Sequence, residues 1–170
     1  MDEMVLNAGE VVGEMGVRGV YEVVCRDAEG RVKWAEQARN LFVNAGLNYL
    51  LDSGFGGTEY LGLKGSGTPA AADTMASHST WSEVTAYTEG ARPTYSHAAA
   101  ASQSVTNSAS KATFSINANG TTIYGIFCTT NSTKGGTTGT LISATDFASS
   151  MSADSGDTLE VTYTVTAANG

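Results

Sequence analysis

The sequence predicts a mainly β chain: a two-sheet antiparallel sandwich of jelly-roll type, one short helix at about residues 44–53, and an extended N-terminal arm over residues 1–18. Three observations carry this. Only 15% of the 170 residues are charged, and Ser, Thr, Ala and Gly dominate, a composition suited to short strands joined by many turns. Apolar residues recur at a period of two in several separate stretches. Leu47, Leu50 and Leu51 alone form a compact stripe at helical spacing.

Residues Met1 to Arg18 show no sustained period, and three glycines interrupt them, so they read as an arm outside a single domain spanning 19–170. From Gly19 the pattern changes. Tyr21, Val23 and Cys25 alternate with Glu22, Val24 and Arg26; Asp27 to Gly30 supplies a turn, and Arg31 to Gln37 returns with Val32 and Trp34 on one face. That is a hairpin. Asn44 then stands where a helix N-cap belongs, ahead of the leucine stripe, and Asp52-Ser53-Gly54 ends the helix.

The stretch from Tyr60 to Tyr95 holds both prolines, His78 and Trp81 among small residues, with the second histidine, His97, just beyond it. It reads as a long ordered connection, with Asp73 as a local cap or Asx-type turn accepting from amides two or three residues on. Ala98 to Ser110 reads as a loop with a short edge strand around Val105. Lys111 to Asn117 turns Ala112, Phe114 and Ile116 inward, and Asn119-Gly120 predicts a hairpin into Thr121 to Thr130. Because Ile123, Tyr124, Ile126, Phe127 and Cys128 are apolar on both faces, this second strand is expected to be central. Asn131 to Thr138 reads as an exposed turn, Thr140 to Ser143 as a strand, and Ala144 to Asp157 as a loop with Phe147 and Met151 tucked down. Leu159, Val161, Tyr163 and Val165 alternate with polar residues in one last strand, which brings the expected total to about eight.

Composition also bears on function. A net charge of −8, with nine scattered basic residues, argues against binding a nucleic-acid backbone. No apolar run approaches the ~20 residues of a membrane helix, and the acidic N-terminus lacks the apolar core of a secretory signal, so synthesis in the cytosol is expected. Cys25 and Cys128 are then expected as reduced, buried thiols. Asn119-Gly120-Thr121 and Asn131-Ser132-Thr133 read as turns. His78, His97 and Asp73 lack metal-ligand spacing, Gly65-Ser66-Gly67 is no nucleophile elbow, and Gly54 to Gly57 lacks the Lys-Ser/Thr of a phosphate loop. Neither a cofactor nor a catalytic group is expected.

One further pattern is specific. Gly19-Val20-Tyr21, Cys25-Arg26-Asp27, Gly30, Lys33-Trp34, Asn40-Leu41, Asn44-Ala45-Gly46-Leu47, Tyr60-Leu61-Gly62-Leu63, Ala72-Asp73-Thr74-Met75-Ala76-Ser77-His78, Trp81, Glu83 and Gly156-Asp157, Leu159, Val161, Tyr163 follow in an order that resembles small structural proteins of tailed bacteriophages. The run from Asp73 to His78 is its most distinctive part. The resemblance implies a capsid decoration, or cement, protein: a homotrimer on the capsid exterior that binds the major capsid protein and braces capsomer joints. On that reading the contacts come from Met4, Val5, Val11, Val12 and Met15 in the arm and from Asp73, Met75, His78, Trp81, Tyr87 and Tyr95 in the long connection. The alternative is a tail or fibre component with a receptor- or glycan-binding sandwich, in which Trp81, Tyr87 and Tyr95 on exposed loops form a stacking platform.

Overall fold

A computed structural model describes residues 14–17, 20–26, 30, 32–39, 41 and 44–169. These residues are mainly β, with several antiparallel pairings and one short helix. The hairpin near the N-terminus is present: β2 (Val20–Arg26) pairs antiparallel with β3 (Val32–Arg39), Val20 opposite Arg39, with an irregularity after Cys25. The helix α1 spans Asn44–Gly54. Its Leu47 and Leu51, one turn apart, are buried, whereas Leu50 turns outward, which narrows the expected stripe to two leucines.

Four strands form the largest sheet, in the order β5-β4-β8-β9: β4 (Tyr60–Lys64), β5 (Glu83–Val84), β8 (Thr121–Thr129) and β9 (Leu141–Ala153). β8 lies between β4 and β9 and is buried on both faces toward its end, with Phe127 and Cys128 in different clusters. Facing this sheet is the pair β7 (Ala112–Ser115) and β10 (Thr158–Val161). Leu61, Leu63, Ile123 and Cys128 meet Ala112, Phe114 and Ile116 across the gap, and Tyr87 and Tyr95 fill it from the connecting segment. This is a sandwich-like core. At about 1.5–3 kcal/mol per fully buried large apolar side chain, it supplies most of the drive to fold.

A third sheet, β1-β11-β6, consists of β1 (Glu14–Val17), β11 (Thr164–Asn169) and β6 (Ser104–Thr106). Val105 of β6 and Ala167 of β11 receive Leu47 and Leu51, so the helix covers this sheet. β1 falls within residues 1–18, and it runs parallel to β11 with Glu14 opposite Thr166.

Three expectations are corrected. Asn119-Gly120 does form a turn, with Gly120 at φ +66, but it does not make a hairpin. β7 pairs with β10, and β8 with β4 and β9, so that Phe114, Ile116 and Ile123 meet in one core from strands of different sheets. Second, the residues read as a loop after Ser143 continue β9 to Ala153, with Phe147 half-buried and Met151 exposed. Third, the last strand divides at Thr162-Tyr163 into β10 and β11, which pair in different sheets.

Candidate interaction surface

The connection from Gly65 to Ser82 crosses the outer face of the four-stranded sheet, and its anchors are polar groups that the fold buries. Lys64 closes β4 with no exposed surface. A buried ammonium needs acceptors, and Lys64 Nζ donates to Gly65 O at 3.0 Å, to Gly67 O, and to Asp146 Oδ1 of β9 at 2.5 Å. Gly67 sits at φ +97, and a Cβ there would lie 1.6 Å from Thr80 O. The two legs of the connection therefore touch: Thr80 Oγ1 donates to Thr68 O at 3.0 Å and Gly65 N to Ser82 O at 2.7 Å.

At the apex, Asp73 accepts from Ala70 N at 2.9 Å and from Trp81 Nε1 at 2.8 Å. The carboxylate thus reaches back three residues and across to the indole, where the sequence reading had it accept from following amides. Those two donors, the Ala70 N–H foremost, hold the Asp73 carboxyl below its ordinary range. Thr74 makes the local turn instead, its Oγ1 accepting from Ser77 N at 3.0 Å. The His78 ring stacks on Trp81 at 4.0 Å between centroids, with Nδ1 3.0 Å from Trp81 O, which identifies Nδ1 as the protonated nitrogen. Beneath them Met75, Trp81 and Phe127 form a buried cluster against Leu141 and Ala144.

The following segment is pinned in the same way. Arg92 is buried, forks to Glu83 at 3.0 and 2.7 Å, donates to Asn131 O at 2.9 Å and Gly136 O at 2.8 Å, and lies 5.2 Å over the Phe127 ring. Four of its five N–H donors are used in this way, two on Glu83 of β5 and two on carbonyls of the loop that follows β8. Lys134 Nζ donates to Tyr87 O at 2.8 Å above the Tyr87 ring. Tyr95 donates its hydroxyl to Tyr163 O at 3.0 Å, where β10 gives way to β11. His97 Nε2 lies 3.5 Å from Glu59 Oε2, a buried oxygen without a hydrogen-bond partner among the described residues.

The expected contact residues consequently separate. Met75, Trp81, Tyr87 and Tyr95 are at most 5% exposed. They are core, so they offer no stacking platform, and their rings are spent on Phe127, Phe114 and Tyr163. Asp73 and His78 remain half-exposed beside small, uncharged residues, Ala70 to Ala72, Thr74, Ala76 and Ser77, that face solvent. Met4, Val5, Val11 and Val12 lie outside the described residues, and Met15 falls within β1, of which only the backbone is described at that position. The Lys64–Asp146 pair, buried at its lysine, and the buried Arg92–Glu83 pair had no signal in the sequence beyond a lysine closing an apolar strand.

Among the described residues, no group of three or more His, Cys, Asp or Glu is placed to hold a metal, and no helix is long and apolar enough to cross a membrane. The Cys128 thiol is buried and pushed up to about 12, by burial first and by the nearby Glu59 carboxylate second. Comparison of the chain with family models, with curated proteins and with solved structures gives no match.

Proposed function

We propose that this chain is a structural virion protein that binds the outer surface of a phage capsid as a homotrimer and braces joints between major capsid protein capsomers. The observation that carries the reading is the connection over residues 65–82. It is fixed to the sheet by Lys64–Asp146 and by Trp81 packed on Phe127, and its outer rim, Asp73 apart, is small and uncharged. A rim of that kind gives up little conformational entropy and sheds little bound water when it meets a protein surface. A jelly-roll-like sandwich serves as its rigid support, and three such rims in one trimer bind together with an avidity that one does not reach. The resemblance of the Asp73 to His78 run to tailed-phage structural proteins supplies the capsid as partner.

Purified protein added to undecorated heads is expected to bind to a fixed stoichiometry, and Ala71→Glu, which places a charge on the rim without touching the core, is expected to weaken that binding at least about tenfold. No binding to heads, with the protein located only in tails, would overturn the proposal. A glycan-binding tail protein, the other reading, no longer has Trp81, Tyr87 and Tyr95 as its platform.

A further inference from the structure

Asn119 and Gly120 form the exposed turn ahead of β8, and they meet a second exposed turn, Asp154 to Asp157, which carries the chain from β9 to β10. Two hydrogen bonds join the turns: Gly120 N donates to Asp154 Oδ1 at 2.7 Å, and Ser155 N donates to Asn119 Oδ1 at 3.0 Å. The second turn is itself braced. Asp154 N donates to Asp157 Oδ2 at 2.8 Å and Asp157 N to Asp154 O at 3.0 Å, while Gly156 N donates to Ile116 O at 2.9 Å and Ile116 N to Asp157 O at 2.8 Å. The seam between the turns therefore lies where the chain leaves the four-stranded sheet for the β7–β10 pair.

An asparagine followed by glycine is open to attack on its own side chain, because glycine has no Cβ to screen its nitrogen. Gly120 N gives up its proton and bonds to Asn119 Cγ; the Cγ–Nδ2 bond breaks, and Nδ2 leaves as ammonia with that proton. Water then opens the imide at either carbonyl and leaves aspartate or isoaspartate at 119. Both groups that react are engaged in the folded chain. The N–H that must be surrendered is held against a carboxylate, whose negative charge opposes formation of the amide anion. The side-chain carbonyl that must turn toward Gly120 N is held by Ser155.

We propose that Asn119 is a self-modification site gated by Asp154 and Ser155: it is shut while the two turns are joined, converts once they part, and by converting keeps them apart. Isoaspartate routes the main chain through the former side chain, which adds a carbon atom just ahead of the pairing of Thr121 with Ala153. Either acid also replaces a neutral carboxamide by a carboxylate beside the Asp154 carboxylate that holds Gly120, and the like charges repel. The reaction consumes only water and leaves an irreversible mark that the seam has opened.

The test is peptide mapping by mass spectrometry after incubation of the full chain at neutral pH, with Asn119 scored for loss of ammonia and for the acid. Asn169, the other asparagine that precedes glycine, falls on a separate tryptic peptide. Folded wild type is expected to convert more slowly than the chain in denaturant by at least the factor that protects the Gly120 amide from hydrogen exchange, since both processes need that N–H to leave Asp154. Asp154→Ala removes the acceptor and is expected to convert at least about tenfold faster than wild type. Asp154→Asn keeps an acceptor oxygen and is expected to stay within about threefold of wild type. Slow exchange of the β4 and β8 amides reports that each variant is folded. A folded Asp154→Ala protein that converts no faster than wild type would overturn the proposal. So would slowing in wild type smaller than the protection of the Gly120 amide, a comparison that stands even where Asp154→Ala does not fold.

Discussion

The side-chain oxygen of Asn107 accepts a 2.8 Å hydrogen bond from the Tyr163 backbone N–H, and its amide nitrogen donates to Val161 O at 3.1 Å. Asn107 is fully buried, so one carboxamide satisfies both backbone groups that are freed where the chain passes from β10 to β11. Removing it strands a buried donor and a buried acceptor at once. Asn107→Ala is expected to cost about 2–4 kcal/mol, read as a shift of the urea midpoint. Asn107→Asp keeps the acceptor for Tyr163 but sets a carboxylate against Val161 O, whereas the protonated acid can donate there. Between about pH 3 and pH 7 the Asp variant is therefore expected to lose stability relative to wild type as its carboxyl ionises.

Arg92 and Glu83 are a buried pair in which each charge depends on the other. Arg92→Ala leaves the Glu83 carboxylate nearly buried without its guanidinium, and a loss of about 3–5 kcal/mol is expected. Arg92→Lys is expected to recover less than half of that, since a single ammonium cannot reach Glu83, Asn131 O and Gly136 O together. Arg92→Met with Glu83→Leu removes both charges, and its cost should fall well below the sum of the single substitutions. Chemical unfolding of the four proteins in a double-substitution cycle measures this.

What was legible in the sequence follows the range of the interactions. The β2–β3 hairpin and α1 are set by residues within a few positions of each other, and the alternation at Tyr21 to Cys25 and the Leu47/Leu51 spacing find them. Asn119-Gly120 equally announces its turn, but the partner of the strand it starts is chosen by Leu61, Phe114 and Ile123 meeting across the core, which turn chemistry does not encode. β9 was hidden because it is an edge strand, mostly exposed, so it carries little apolar pattern beyond Phe147. The division after Val161 depends on Asn107, more than fifty residues away. For the surface, the Asp73 to His78 run stands on an exposed rim, whereas Trp81, Tyr87 and Tyr95 look alike in sequence whether they line a core or a binding face. Burial alone decides that, and it places them inside.

Cys128 provides a probe of that core. Its thiol is 1% exposed and raised to about 12, so at pH 8 almost none of it is the reactive thiolate. In a Cys25→Ser protein, labelling by a disulfide reagent is expected to proceed no faster than global unfolding, and to become immediate in denaturant. Labelling of the folded protein at a substantial rate would mean that the sheet opens locally at β8.

The Asp73 carboxyl carries the acid sensitivity of the long connection. Its folded value is depressed by the Ala70 N–H and the Trp81 indole N–H. The stabilisation is accordingly present above the ordinary unfolded value of about 3.9 and is lost as pH falls through the folded one. In a Trp34→Phe protein, Trp81 emission is expected to hold steady through mildly acidic pH and to change below that value. Asp73→Asn, which keeps an acceptor oxygen but no ionisable group, is expected to remove this acid step. Persistence of the step in Asp73→Asn would assign it to another group.

The turn that returns the chain into β6 holds a correctable strain. Ser102 and Gln103 both adopt left-handed backbone angles, φ 52 and 56, between Ala101 and Ser104, whose N–H and C=O groups bond each other at 2.9 and 3.0 Å. This is the geometry of a two-residue hairpin turn that ordinarily takes Asn-Gly. Neither Ser nor Gln favours it, and each such residue costs roughly 1–2 kcal/mol. The Gln103 main chain explains why the conformation persists: its N–H donates to Asn48 Oδ1 of α1 at 2.8 Å and its C=O accepts from Ala167 N at 2.9 Å. Both bonds use backbone groups that any residue supplies. Ser102→Asn with Gln103→Gly is therefore expected to keep them and raise stability by about 1 kcal/mol, after the extra unfolded-state freedom of Gly is subtracted. A higher urea midpoint with an unchanged slope checks it. A lower midpoint would mean that the Ser102 or Gln103 side chain makes a contribution larger than the strain it carries.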